Sequence, residues 1–189
     1  MNVIDNKKWC QDCPCRLYNT KGYNLDGVGS PYYGNLIVIP NVDYQAYREG
    51  DMSFSTQVEI INDVLHSSTG ELEPKIFITP LIRCNEYISC DINDDIINRC
   101  INYTNRDISK YGFTRILLLG SAVDRLLHKT IKHNLDVYFC RNKFTIEVNY
   151  SPFVKYTNDD LYITFKDKLC SWYNEAINKV YTNKRRCYD

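Results

Sequence analysis

The chain has 189 residues, of which 44% are hydrophobic and 13% aromatic, and its 23 basic and 23 acidic side chains leave no formal net charge. This length predicts one domain, 1–189, with a full core, and this composition excludes a disordered protein. The neutral balance also argues against a protein that binds nucleic acid through overall charge alone, although a local basic face remains compatible with it.

The expected location is intracellular. No apolar run is long enough to span a membrane, and residues 1–8 are polar, so we expect neither a membrane protein nor a secretory signal. Nine cysteines, an odd number, favour a reducing compartment. Abundant Asn, Ile, Lys and Tyr indicate an AT-rich genome, which predicts a viral protein, in that case one of the host cytoplasm.

Four short apolar runs predict four strands. They are residues 36–39, 75–79, 115–119 and 145–148. Pro40 follows the first run, Pro80 the second and Gly120 the third, and these residues are expected to end their strands.

Amphipathic segments predict helices between and after these strands. They are residues 55–66, 93–103, 121–127 and 159–180. The alternation predicts an α/β fold with a mostly parallel sheet that is covered on both faces. Sheets of this kind bind ligands at the carboxyl ends of their strands. Function is therefore expected in four loops, at residues 40–44, 80–83, 120–121 and 150–155.

Four cysteines predict a metal centre. Cys10 and Cys13 form a C-x2-C pair near the N-terminus, and Cys84 and Cys100 form a C-x15-C pair in the middle. Four thiolates are the usual ligands of a [4Fe–4S] cluster or of a structural zinc ion. The long second spacing fits zinc poorly, so the pattern favours iron–sulfur. Two alternatives remain open, namely that Cys15 replaces Cys13 and that all of these cysteines are buried thiols.

In this order along the chain, the motifs resemble those of the iron–sulfur uracil-DNA glycosylases, families four and five of that superfamily. The resemblance covers most of the length. After the C-x2-C pair and Leu17, its further motifs match Gly27–Gly29, Pro40–Tyr44, Phe54, Thr79–Cys84, Leu119–Ala122 and Ser151–Lys155. The resemblance implies a three-layer α/β/α fold around a four-stranded, mostly parallel sheet. It also implies a structural [4Fe–4S] cluster and binding to DNA, with possible replication or repair proteins as further partners and no membrane.

The catalytic positions of the family are substituted in this chain. The family uses an acidic residue to position water, an asparagine to hold the base and a histidine beside the leaving uracil. The matching residues here are Asn41, Pro80 and Ser151. Asn41 is acceptable for positioning water, but proline offers no amide and serine carries no charge. Asp43 is a candidate replacement carboxylate, or else an ordinary loop aspartate.

The resemblance also implies a set of DNA contacts. Phe54 would stack on the flipped base, and the last loop would push an apolar wedge into the duplex. The residues that match the base and DNA contacts are Phe54, Pro80, Pro152, Phe153, Val154 and Lys155. The alternative is that Phe54 and Phe153 close the core. Arg83 is expected either to contact the DNA backbone or to pair with an acid on a helix.

Three functions follow from these patterns. The first is a DNA-binding or partner-docking glycosylase relative in replication or repair, with weak or lost base excision. The second is an active glycosylase that hydrolyses the N-glycosidic bond of uracil or a modified base, with Asn41 positioning water and Ser151 near the leaving base. The third is a redox protein, which the wide spacing of the cysteines disfavours.

Overall fold

The computed structural model describes residues 25–85, 94–120 and 145–185. Within these ranges the sheet has five strands, in the order β1-β3-β2-β4-β5. Their bounds are Val28–Gly29 for β1, Asn35–Val42 for β2, Phe77–Asn85 for β3, Arg115–Leu119 for β4 and Thr145–Asn149 for β5. Strands β2 to β5 are mutually parallel where they pair, and β1 is antiparallel to β3.

Four α-helices and three short 3₁₀ helices complete the described part of the chain. The α-helices are α1 at Tyr44–Glu49, α2 at Thr56–Thr69, α3 at Asp94–Tyr111 and α4 at Asp159–Arg185. The 3₁₀ helices are Pro31–Tyr33, Met52–Phe54 and Pro152–Tyr156. None of the helices in these ranges has the length and apolar character that a membrane span requires.

The predicted α/β class is confirmed, but the predicted four-stranded, mostly parallel sheet was wrong. The sheet has five strands and is mixed, because β1 joins its edge in the antiparallel direction. A strand of two residues, Val28 and Gly29, is too short to carry a period-two hydrophobic pattern, so nothing in the sequence marks it. The predicted helix at 121–127 lies outside the described residues.

The prolines do not end their strands as predicted. Strand β2 continues through Pro40 to Val42, and β3 continues through Pro80 to Asn85. Proline is excluded from a strand only where its missing N–H is needed for a ladder bond. The β4 ladder against β2 ends at Val38, before Pro40, and the β1 ladder against β3 covers only Phe77 and Ile78, before Pro80.

Each face of the sheet carries its own hydrophobic core. The first core joins Ile37 and Ile39 of β2 to residues of α2 and α4, among them Trp172. The second core joins Leu36 and Val38 to residues of α3. Neighbouring residues of β2 thus point to opposite faces, as the pleat of a strand requires. This explains the continuous apolar run of β2 and agrees with the predicted sheet that is covered on both faces.

Candidate functional site

Strand β3 has a bulge near its end, formed by Arg83 and Cys84. The register against β2 passes from Asn41 opposite Ile82 to Val42 opposite Asn85, so two residues of β3 are left without a counterpart. The consecutive residues Leu81 and Ile82 both contact the second core, which departs from the alternation of a regular strand, and Cys84 contacts the same core. Bulges change the direction in which side chains point.

Two of the four predicted ligands lie at the second core. Cys100, on α3, is a buried member of it, and the half-buried Cys84 packs against it from β3. Neither thiol takes part in a disulfide. Two thiols that are distant in sequence but share one core fit the donor chemistry of a thiolate-bound centre.

The rest of the predicted ligand set lies outside the described residues. Cys10, Cys13 and the alternative Cys15 all precede residue 25. Among the residues that the structure describes, no group of three or more His, Cys, Asp or Glu side chains could hold a metal ion. Cys84 and Cys100 therefore contribute at most half of the predicted four-thiolate set within the described part of the chain.

Beside Cys84, the side chain of Arg83 is almost fully buried, with 1% of it exposed. Its Nη1 donates to Asp26 at 2.8 Å, and its Nη2 donates to Thr79 at 3.0 Å and to the buried carboxylate of Asp107. The guanidinium also lies over the ring of Tyr103, 5.1 Å from its centroid. Of the two expectations for Arg83, pairing with a helix acid is therefore confirmed, since Asp107 lies on α3.

Arg106 completes what we call the Arg83 network, formed by Arg83, Arg106, Asp26 and Asp107 with Thr79 and Tyr103. Its Nη2 donates to Asp26 at 2.9 Å and to Asp107 at 3.0 Å. Burial opposes the charge of Arg106, but the carboxylates of Asp107 and Asp26 outweigh it and raise the pKa of the guanidinium. Sequence reasoning missed Asp26 and Asp107, because acids so far from Arg83 along the chain cannot be paired with it by spacing.

The carboxyl ends of the parallel strands β2, β4 and β5 lie close together around Gly120. A Cβ atom added to Gly120 would lie 2.9 Å from the Cγ of Pro40 and 3.3 Å from the Cβ of Ser151. The structure therefore brings the end of β2 and the segment after β5 together around the residue that follows β4. Ser151 also begins the last 3₁₀ helix, where its hydroxyl accepts the N–H of Phe153 at 3.4 Å.

Asp43 serves as a structural carboxylate. It is 6% exposed, and its Oδ1 accepts the N–H of Ala46 at 3.0 Å, which caps α1. Its Oδ2 accepts the hydroxyl of Ser55 at 2.6 Å and the N–H of Gln57 at 3.3 Å, at the start of α2. Both oxygens are engaged, so these contacts favour the ordinary loop aspartate over the replacement carboxylate.

The other predicted catalytic and base-contacting residues differ in exposure. Asn41 is half-buried, and its carbonyl accepts the side-chain amide of Gln57 at 2.9 Å. Pro80 is buried inside β3, opposite Ile39, where it presents no loop surface to a base. Phe54 is 55% exposed at the end of its 3₁₀ helix.

Most of the side chains of the predicted wedge, residues 152–155, pack inside the protein. Pro152 is buried, and the half-buried Phe153 and Val154 pack against the first core. Lys155 is half-buried, with its ammonium 5.9 Å from the ring centroid of Tyr156. The alternative that these aromatic residues close the core therefore describes Phe153 and does not describe Phe54.

A groove that the sequence did not indicate opens at the other end of the sheet. Its volume is about 510 Å³, and it lies where β2 and β3 begin, between β1 and α2. Its walls include Tyr32 and Leu72, which are 89% and 85% exposed. The consecutive tyrosines 32 and 33 were the one signal in the sequence that could have marked it.

Comparison with models of known protein families gave no match for this chain, and comparison with curated proteins gave none either.

Proposed function

We propose that the chain is a [4Fe–4S] protein of the uracil-DNA glycosylase type that binds DNA or a replication or repair partner, with base excision weak or lost. The observation that carries the proposal is that Cys84 and Cys100, from different elements, both contact the second core. Cys84 packs against this core from β3, and Cys100 is a buried member of it on α3.

The arrangement of the elements is compatible with this proposal. Helices α2 and α4 contribute to the first core and α3 to the second, on opposite faces of the sheet. Such a sandwich is the three-layer α/β/α arrangement expected of the glycosylase type. Zinc held by the same cysteines is the alternative cofactor.

Three observations, on Asp43, Pro80 and Ser151, support weak or lost catalysis. Asp43 is the only carboxylate among the described residues of the four strand-end loops, and its oxygens are occupied by capping bonds. Pro80 is buried and carries no amide, and Ser151 carries no charge to stabilise a leaving base. Loss of one electrostatic donor typically reduces a rate by about a hundred- to a thousandfold. Loss of several together leaves little excision.

Binding to DNA would use the exposed ring of Phe54. An unstacked base can lie on such a ring whatever its sequence, and each base stacked in this way contributes about 1–3 kcal/mol. Phe54 follows Asp51–Ser53 and directly precedes Ser55, whose hydroxyl is bonded to Asp43. The ring is therefore carried by a segment that a bond to Asp43 fixes to the carboxyl end of β2.

The test is purification without oxygen followed by two measurements. The protein is expected to be brown and to contain about four iron atoms per chain. Incubated with uracil-containing single- and double-stranded DNA, it is expected to bind the DNA and to release almost no free base. An active glycosylase run in parallel shows that the substrates are competent.

Two results would overturn parts of this proposal. Iron-free, colourless protein would exclude the cluster. Robust release of uracil or of a modified base that Asn41→Ala abolishes would instead establish the active glycosylase, with Asn41 positioning the water.

A further inference from the structure

The Arg83 network joins β3, which carries Cys84, to α3, which carries Cys100. Arg83 directly precedes Cys84 on β3, Asp107 lies on α3 seven residues after Cys100, and Asp26 follows Cys13 by thirteen residues. We infer that Arg83 is a positioning residue, whose buried guanidinium fixes β3 against α3 and so holds the Cys84 and Cys100 thiols in register for the cluster. This inference rests on the proposed function.

The face of α3 that Arg83 contacts is also the face that carries Cys100. Cys100, Tyr103 and Asp107 are spaced by three and four residues, so they form one stripe along the helix. Arg83 lies over the ring of Tyr103 and donates to Asp107. Any shift of β3 along α3 that moved Cys84 relative to Cys100 would have to break both contacts.

A third stretch of chain is fixed at the same point. The backbone N–H of Leu25 donates to the carbonyl of Arg83 at 3.1 Å, and Asp26 then bonds both guanidinium groups. Both ends of the Arg83 residue, its carbonyl and its side chain, are therefore bonded to the segment at 25–26.

The network balances its own charge. Two guanidinium groups face two carboxylates, so the buried cation of Arg83 is compensated by protein groups alone. The arrangement therefore does not depend on a cluster being present, and it is preorganised in the iron-free protein.

One donor of Arg83 is left over. Its Nε–H is buried and has no hydrogen-bond partner among the described residues. A buried donor without an acceptor is costly, by about 1–3 kcal/mol. An anionic thiolate centre beside Cys84 is the kind of acceptor that would satisfy it, and hydrogen bonds to cluster sulfurs set the reduction potential.

The experiment compares Arg83→Lys with Arg115→Lys. Arg115 is a matched control, since it is also a buried arginine with two acid partners, Glu147 at 3.0 Å and Glu175 at 3.4 Å, and it also lies over an aromatic ring, that of Trp172. It begins β4 and contacts α4, and neither element carries a predicted cluster ligand. Lysine keeps the charge at both positions and removes the planar fork of donors.

Cluster loss to an iron chelator is measured on the anaerobically loaded proteins, with urea unfolding of the iron-free forms as the reference. Removal of a residue that orients metal ligands typically weakens binding about 10- to 100-fold. Arg83→Lys is therefore expected to lose its cluster faster by about that factor and to change the reduction potential. Arg115→Lys is expected to stay within about twofold of the wild type, with its potential unchanged.

Equal rates of loss in the two variants would overturn the inference while leaving the proposed function intact. If Arg83→Lys does not fold, Asp107→Asn replaces it, because it keeps the shape of the side chain and removes one charged partner. Wild-type protein that takes up no metal would overturn the proposed function and this inference together. If the wild type holds zinc instead, the iron–sulfur proposal fails, and the same comparison made on zinc release decides the role of Arg83.

Discussion

At the scale of single residues, Tyr173 bonds to partners about a hundred residues away in sequence. The hydroxyl of Tyr173 on α4 bonds to the carboxylate of Glu71 and accepts the backbone N–H of Lys75 at 3.0 Å. The bond from Tyr173, and then that from Lys75, lowers the pKa of Glu71. Burial, with the bond to Glu71, raises the pKa of Tyr173 to about 12.

The first prediction concerns Tyr173→Phe. A carboxyl group with a lowered pKa stabilises the fold above its ordinary value of 4.5, and this contribution is lost as the pH falls through the lower, folded value. A tyrosine with a raised pKa contributes below its ordinary value of 10, and this is lost as the pH rises towards about 12. The free energy of unfolding of the variant is expected to be about 1–2 kcal/mol lower at pH 7. It is also expected to change less with pH in both the acid and the alkaline range.

Urea unfolding at neutral, acidic and alkaline pH measures this. Tyr162→Phe on the same helix is the control, because the ring of Tyr162 stacks on Phe165 and its substitution leaves the Glu71 contacts in place. An unchanged acid dependence in Tyr173→Phe would show that Glu71 owes its lowered pKa to Lys75 instead.

The second prediction concerns Phe54→Ala. If the exposed ring stacks on a base, the variant should bind single-stranded DNA about 5- to 150-fold more weakly, which corresponds to one stacked base. Leu72→Ala is the control, since Leu72 is also exposed but lies at the groove on the opposite end of the sheet. Fluorescence anisotropy at fixed salt measures both, and equal affinities for the two variants would count against stacking.

At the scale of elements, Asp43 joins the starts of two helices. One oxygen caps α1 through Ala46, and the other binds Ser55 and Gln57 at the start of α2. The third prediction is that Asp43→Ala lowers the free energy of unfolding by about 2–3 kcal/mol, because it removes a cap and leaves buried donors unbonded. Asp51→Ala is the control, since Asp51 is exposed and its side chain accepts the N–H of Ser53.

Chemical denaturation compares these two aspartates. The control is expected to lose about 0.5–1 kcal/mol, the usual effect of an exposed cap. If base release persists in the wild type and disappears in Asp43→Ala at temperatures where the variant is folded, the carboxylate has a catalytic role that its capping bonds do not explain.

The fourth prediction concerns Gly120, where the end of β2 and the segment after β5 meet. Its φ is +75°, and an added Cβ would lie 2.9 Å from the Cγ of Pro40. Gly70 has a φ of +72° and nothing within 4 Å of an added Cβ. Both alanine variants carry the same backbone strain, so Gly120→Ala should be less stable than Gly70→Ala by about 1–3 kcal/mol, the cost of overpacking. Thermal or urea unfolding measures the difference, and equal losses would mean that the strand ends can separate.

At the same scale, local patterns predicted most of the elements but not their bounds. The runs at 115–119 and 145–148 match β4 and β5 closely, because continuous apolar or alternating residues mark them. Pro40 and Pro80 misled the prediction, since whether a proline ends a strand depends on how far the neighbouring strands pair. That information lies in tertiary contacts and not in the local sequence.

At the scale of the whole molecule, a protein without net charge is expected to bind DNA through few phosphate contacts. The fifth prediction is a shallow salt dependence, with a slope of log affinity on log salt of magnitude below about 3, since each neutralised phosphate contributes about 0.7–0.9. Lys155→Gln is expected to reduce the slope by about one unit if Lys155 contacts a phosphate. Lys75→Gln, at the groove beside Glu71, is the control. A slope as steep as that of a strongly basic protein would contradict this prediction and indicate a local basic face.

Only part of the candidate site could be predicted, because tertiary contacts cannot be read from the local sequence. A cysteine is visible in a sequence whatever its surroundings, so Cys84 and Cys100 could be selected as ligands before their shared core was known. The Arg83 network could not, because its acids Asp26 and Asp107 lie 57 and 24 residues from Arg83 in the sequence and meet it only in the folded chain. The capping role of Asp43 depends in the same way on Ser55, which lies twelve residues away.

The bulge at Arg83 and Cys84 also constrains how the length of this chain can vary. Two residues, an even number, are looped out between Ile82 and Asn85, so the pairing with β2 resumes without exchanging the two faces of β3. Insertion or deletion of one residue there would turn the following segment over, whereas a change by two would not. Natural variants of the protein should therefore differ at this point by pairs of residues or not at all.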